Sequence, residues 1–187
     1  MAIILKMSIV APVIYTLCVG ISLICGLLAA ISDLRGMRIP NSLSLIILVT
    51  FVPPALLSWY DTSFGTAMPG ALEMHILSFA GVFVTTLILF GFGILGAGDS
   101  KLMSAYGLWL GPSGIIPFIF SMALAGFILA LIGLIIRRFH LFSSAPVSSW
   151  IGQLHIGPGH VPYGVAIFAG AICGYAASGY FNIPLLS

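Results

Sequence analysis

Six apolar runs, at about 8–32, 42–60, 74–95, 97–111, 115–136 and 161–181, make up most of this chain. Their hydrophobic residues follow one another instead of alternating with polar ones, which predicts helices and not strands. A helix needs roughly 20 residues to cross the ~30 Å hydrocarbon layer of a bilayer. Most of the runs meet that length, and 97–111 is short. The breaks between runs carry turn chemistry at Arg35-Gly36, Ile39-Pro40-Asn41 and Gly111-Pro112-Ser113-Gly114, and in the polar stretch 143–162. Pro53-Pro54 is expected to bend the second run. Asn41 or Ser42 can cap it. Gly170 and Gly174 form a GxxxG pair, and Gly126 and Gly133 lie two turns apart, as close helix packing requires.

Composition strengthens this reading. Of 187 residues, 60% are hydrophobic and only 5% are charged, against about 25% charged in a soluble domain. No soluble fold of this length hides so much apolar surface. In lipid, unsatisfied backbone groups leave only helices or a closed barrel. The expectation is a single all-α transmembrane domain over 1–187, a polytopic bundle of about six helices. The net charge of +2 gives no reason to invoke nucleic acid. Cys18, Cys25 and Cys173 sit inside apolar runs without CxxC spacing, which suggests neither a zinc site nor a disulfide framework.

Charge predicts orientation. With the N-terminus outside, Arg35, Arg38, Lys101, Arg137 and Arg138 fall on the cytoplasmic side and only Lys6 outside, a strong asymmetry of the kind that orients membrane proteins. The first run is too long for a signal-peptide core, and the stronger positive charge follows it. It is therefore expected to be a retained span.

Four acidic residues remain. Asp61 and Glu73 flank an outer loop and read as solvated. Asp33 and Asp99 fall at the same predicted side, at the ends of separate runs. Ionisable residues at membrane depth are costly and usually functional. Two carboxylates brought together in a partly dry site do not both ionise comfortably and share a proton. The charged member can draw a proton from water while the protonated member donates to a carbonyl oxygen, which suits peptide hydrolysis. Gly96 and Gly98, just before Asp99, either permit unusual dihedrals and close approach of another strand or helix, or merely end the preceding helix.

Residues 33–41 read DLRGMRIPN, and residues 96–101 read GAGDSK. This pairing, Asp33 with Ile39-Pro40-Asn41 and then Gly96, Gly98, Asp99 and Lys101, resembles the type IV prepilin peptidases, bacterial members of the GxGD aspartyl proteases. Pro162-Tyr163-Gly164 is similar to their aromatic-glycine segment before the last span. The resemblance covers nearly the whole chain and implies Asp33 and Asp99 as the catalytic pair. It also implies cleavage of prepilin leaders on the cytoplasmic side, after a glycine, with no cofactor. The larger members carry an extra cytoplasmic segment with paired cysteines and an N-methyltransferase activity. This chain looks like the short form serving tight-adherence (Flp-type) pili, without methylation. Lys101 either anchors at the interface, holds the Asp99 segment, or attracts an acidic substrate residue. Arg35 and Arg38 read as interfacial anchors.

Other readings compete. Gly111-Pro112-Ser113-Gly114 matches the GxSG of rhomboid serine proteases, with His155 or His160 as a partner base. The predicted topology puts Ser113 and these histidines on opposite faces. His155 and His160 without a nearby carboxylate or thiolate make a poor metal site. His75 and His140 read as interfacial. A small proton-coupled transporter or channel would also place aspartates beside broken helices. A non-catalytic pilus-assembly subunit would tolerate loss of either aspartate. The partners implied are a prepilin substrate and the lipid bilayer.

Overall fold

The computed structural model of the protein describes residues 2–60, 71–156 and 161–181. Within them the chain is entirely helical: α1 (Ala2–Gly36), α2 (Asn41–Tyr60), α3 (Leu72–Gly91), α4 (Ala97–Arg138), α5 (Trp150–Ile156) and α6 (Tyr163–Ala177). Four of these, α1 to α4, are long and apolar enough to cross a membrane, and α6 is a shorter apolar helix. Apolar side chains such as Leu56, Leu77 and Phe127 project outward along their length, as expected where lipid is the solvent. Asp61 and His160 lie outside the described residues.

Helix α4 is two helices in one. Gly111 adopts φ 57°, ψ −171°, a conformation that L-residues with side chains avoid. The chain reverses there. The rings of Tyr106 and Phe118 lie 6.4 Å apart, where a straight helix would separate them by about 18 Å. Limb 97–110 and limb 112–138 are therefore antiparallel, and the sequence expectation of separate fourth and fifth passes holds. The break sits at Gly111 itself, with Pro112 already starting the next limb. Six passes alternate in direction. Residues Asp33, Asn41, Ala97 and Gly164 gather at one end of the bundle, called here the carboxylate end. Tyr15, His75, Gly111 and Ser178 gather at the far end.

Limb 97–110 forms the centre. Leu102, Ala105, Tyr106, Trp109 and Leu110 on it are fully buried. α1, α2, α3, α6 and limb 112–138 surround it. That explains its shortness: a helix shielded by its neighbours need not match the lipid thickness. α6 seats against both limbs through its GxxxG pair. A Cβ on Gly170 would lie 2.7 Å from the Phe118 carbonyl, and one on Gly174 would lie 2.7 Å from Leu110. α2 runs unbroken through Pro53-Pro54.

Reversing a helix inside the bundle strands backbone carbonyls that no water reaches. Pro112 has no N–H to offer the Leu108 carbonyl, and the His75 Nδ1–H donates to it instead at 2.8 Å. The Tyr180 hydroxyl donates to the Trp109 carbonyl. The Ser178 hydroxyl donates to the Leu110 carbonyl at 3.0 Å. Three consecutive orphan acceptors are thus satisfied by side chains from α3 and from the segment after α6.

Removing one of these donors should be costly. Tyr180→Phe is expected to lower stability by about 1–3 kcal/mol, the cost of a buried carbonyl left unpaired. Gly111→Ala should cost more, because its Cβ would meet the His75 ring at 3.0 Å in a backbone conformation already hostile to alanine. Thermal unfolding in detergent reads both; a Tyr180→Phe midpoint equal to wild type would show that the carbonyl needs no side-chain donor.

Candidate active site

Asp33 lies in the last turn of α1 and is only 5% exposed. Its Oδ2 accepts a hydrogen bond of 2.7 Å from the backbone N–H of Gly164. That amide belongs to the first turn of α6, whose N-cap is Pro162 and has no side-chain cap of its own. The carboxylate of one helix thus caps the start of another, where free N–H groups and the helix dipole favour a negative charge. Gly164 is bound to be small: a Cβ there would sit 3.0 Å from the Asp33 Cβ and 3.3 Å from the Ala29 carbonyl. The Pro162-Tyr163-Gly164 segment therefore acquires a role that its spacing did not announce.

Asp99 is half-buried in the first turn of α4. Its carboxylate folds back over Gly96, the N-cap, where a Cβ would meet the Asp99 Oδ2 at 2.7 Å. Each aspartate thus lies against a helix start, Asp33 bonded to that of α6 and Asp99 folded over that of α4. They line one open cleft of about 330 Å³ together with Met37, Arg38, Ile39, Asn41 and the Gly96–Gly98 segment. They are close enough for the charge on Asp33 to act on Asp99.

The two motifs interlock. α1 ends with Met37 in the left-handed region (φ 51°), its N–H donating to the Asp33 carbonyl at 2.8 Å. This αL cap turns the chain into Arg38-Ile39-Pro40. The Ser32 hydroxyl donates to the Arg38 carbonyl at 2.8 Å and braces the connector. Ile39 then lies over Gly98, where a Cβ would approach the Ile39 Cβ to 3.1 Å. The Lys101 Nζ donates to the Asn41 Oδ1 at 2.9 Å. The Asn41 side chain is thus engaged by Lys101, and the Pro40 carbonyl accepts the first turn's bond from the Leu43 N–H.

Of the two roles open to these glycines, close approach is realised at Gly98, against Ile39, while Gly96 meets only Asp99 of its own turn. Gly96 has ordinary extended dihedrals (φ −73°, ψ 150°). The preceding helix ends elsewhere: Gly93 (φ 70°) donates to the Phe90 carbonyl and Ile94 to the Leu89 carbonyl, a Schellman motif. α3 therefore stops at Gly91, four residues before the expected end at 95, and neither glycine of the GxGD terminates it.

The remaining candidates fall away from this cleft. Ser113 donates to the Ser178 hydroxyl at the far end. His155 bonds the Leu141 carbonyl at 3.0 Å and stacks on His140, beyond the end of limb 112–138. That limb alone is about 40 Å long at 27 residues, so Ser113 and His155 form no dyad. His75 is buried beside the helix reversal, where it bonds the Leu108 carbonyl. Arg35 and Arg38 are exposed at the carboxylate end. Cys18 and Cys25 are buried in α1, and Cys173 is exposed on α6. Among the described residues no three His, Cys, Asp or Glu side chains come together as a metal site needs. Sequence reasoning missed Ser32, Met37 and the donor role of Gly164. Only the last carried a signal, the Pro-Tyr-Gly run.

No curated protein and no solved structure matches the chain. The type IV leader peptidase family does: its profile matches residues 20–134, which takes in Asp33, the Ile-Pro-Asn segment and the GxGD segment. With well over half of its length matched, in the region that builds the cleft, the chain belongs to the type IV leader peptidase family.

Proposed function

We propose that the protein is a membrane-embedded aspartyl endopeptidase that removes the leader of prepilins of the tight-adherence (Flp) type at the cytoplasmic face, with Asp33 and Asp99 as its catalytic pair. The single observation that carries this reading is the convergence of the two carboxylates on one cleft, each set against a helix start. Family membership supports the substrate class. Five of the six positive charges, Arg35, Arg38, Lys101, Arg137 and Arg138, lie at the carboxylate end, which supports a cytoplasmic cleft. The position of both carboxylates at one end of the bundle favours a peptidase over a transporter, whose charges belong near the midplane. All three cysteines sit in the apolar helices α1 and α6, so cleavage without methylation is the activity proposed.

The chemistry needs one proton shared between the pair. The charged aspartate takes a proton from a water in the cleft as its oxygen bonds to the scissile carbonyl carbon. The protonated aspartate donates to the carbonyl oxygen. The tetrahedral diol collapses as its C–N bond breaks, the amide nitrogen gaining a proton from the pair while a diol hydroxyl returns one to it, and the carboxylic acid so formed ionises to water. One product ends in a carboxylate, the other begins with a free amine, and the pair regains its single proton. The peptide must be extended here, because a helix hides its carbonyls. The cleft opens to water at the bundle's end, which supplies the nucleophile.

Lys101 is proposed as a positioning residue. It ties the start of α2 to the start of α4, and so keeps the Asp99 turn in register with the connector that follows Asp33.

Co-expression with an Flp-type prepilin tests the pair. Asp33→Asn and Asp99→Asn should each slow processing by about 10²-fold or more, while Ser113→Ala leaves it intact. N-terminal sequencing of the product should place the cut after a glycine. Full processing by either asparagine variant would end the proposal.

Lys101→Ala and Asn41→Ala should each lower kcat by about tenfold with KM little changed, and the double variant should lose no more than either single one. Were Lys101 a magnet for an acidic substrate residue instead, KM would carry the loss and Asn41→Ala would be silent.

A further inference from the structure

α2 and α3 both pack on α4, yet they share little contact with each other. They meet at the far end, where the rings of Phe51 and His75 lie 5.6 Å apart. Toward the carboxylate end they diverge, and a groove of about 360 Å³ opens between them. Leu45 and Leu48 form one wall. Phe79 and Phe83, stacked at 5.9 Å, form the other. Asn41 lines both this groove and the cleft of the two aspartates, so the spaces adjoin, with the Lys101–Asn41 bond at their junction.

The groove contains an unmet hydrogen bond. Ser44, on its α2 side, is only 4% exposed, and its hydroxyl has no partner. A helical serine ordinarily bonds back to the carbonyl four residues earlier. Here the Ser44 hydroxyl makes no such bond. A buried hydroxyl without a partner is costly. An acyl chain offers it nothing, and an intact helix keeps its carbonyls for itself. An extended peptide presents a free carbonyl at every residue.

We propose that the α2–α3 fork is a substrate subsite: it binds, as extended chain, the apolar residues of the precursor that adjoin the scissile bond, with a substrate backbone carbonyl accepting the Ser44 hydroxyl. This rests on the peptidase reading above and extends it. The apolar walls select a membrane-embedded segment, and the fork opens it into non-helical form beside the aspartates. The groove's volume is near the lower end of sites that hold small ligands, about 300–1,000 Å³, which suits a short peptide segment and not a whole helix.

The test uses the full chain in phosphatidylethanolamine–phosphatidylglycerol liposomes with a purified Flp-type prepilin. Leu45→Trp narrows the fork at a position already 59% exposed, and should raise KM by about tenfold with kcat little changed. Ser44→Ala should raise KM by about threefold or more while the thermal midpoint stays level or rises, since the folded protein loses an unsatisfied group. A benzoyl-phenylalanine photo-crosslinker at Phe83, in an Asp99→Asn background, should capture the precursor at residues adjoining the cleaved bond. Unchanged KM in both variants, or crosslinks to lipid alone, would overturn the subsite while Asp33→Asn still abolishes cleavage and the peptidase reading stands. Failure of the wild-type chain to cut the prepilin would remove that reading and the subsite with it.

Discussion

Every backbone N–H and C=O buried in this bundle must find a partner inside the protein, and the site is assembled from the places where the helices cannot provide one. Helix starts leave amides free. At α6 the free amide of Gly164 meets Asp33, and at α4 the Asp99 carboxylate folds over Gly96. In Asp33, a carboxylate that would be expensive at membrane depth thereby satisfies a need the backbone already has. No cationic side chain is required beside it. The same constraint operates at the far end with the opposite sign, where the carbonyls exposed by the Gly111 reversal accept hydrogen bonds from His75, Tyr180 and Ser178.

The two sequence motifs act as one structural unit because connector 37–40 is laid along the first turn of α4. Ile39 occupies the space that Gly98 leaves vacant, and Asn41 receives Lys101. Asp33, fixed to α6, and Asp99, fixed to α4, are thus registered through a short, well-braced stretch instead of through the whole bundle. The strained αL residue Met37 sits in that stretch, at a cost of order 1 kcal/mol. Its conformation directs the chain across the mouth of the cleft, which makes the strain part of the site's construction.

The central limb 97–110 links both ends. It begins at the Asp99 turn, is buried on nearly all sides, and finishes at the Gly111 reversal. The seat for α6 is also there, since Gly174 rests on Leu110 and Gly170 on limb 112–138. An error in how this limb packs would displace Gly164 relative to Asp33 as well as Asp99 relative to Gly98. The α2–α3 fork, by contrast, is where packing is left incomplete, and there the bundle opens beside the cleft.

The sequence by itself determined the helical class, the passes and their alternation, because apolar length and turn residues are local properties and lipid permits few architectures. It also marked Asp33 and Asp99, since so few charges are present that each must be explained. Local pattern could not say that Gly93 ends α3, which depends on the αL geometry of one glycine among several. Nor could it show that His75 is buried beneath the reversal, or that Asn41 joins Lys101 instead of capping its own helix. The pairing of Asp33 with the Gly164 amide lies beyond sequence for the same reason. These are contacts between residues distant in the chain, and only the packing of α1, α4 and α6 around a shared centre brings them within hydrogen-bonding reach.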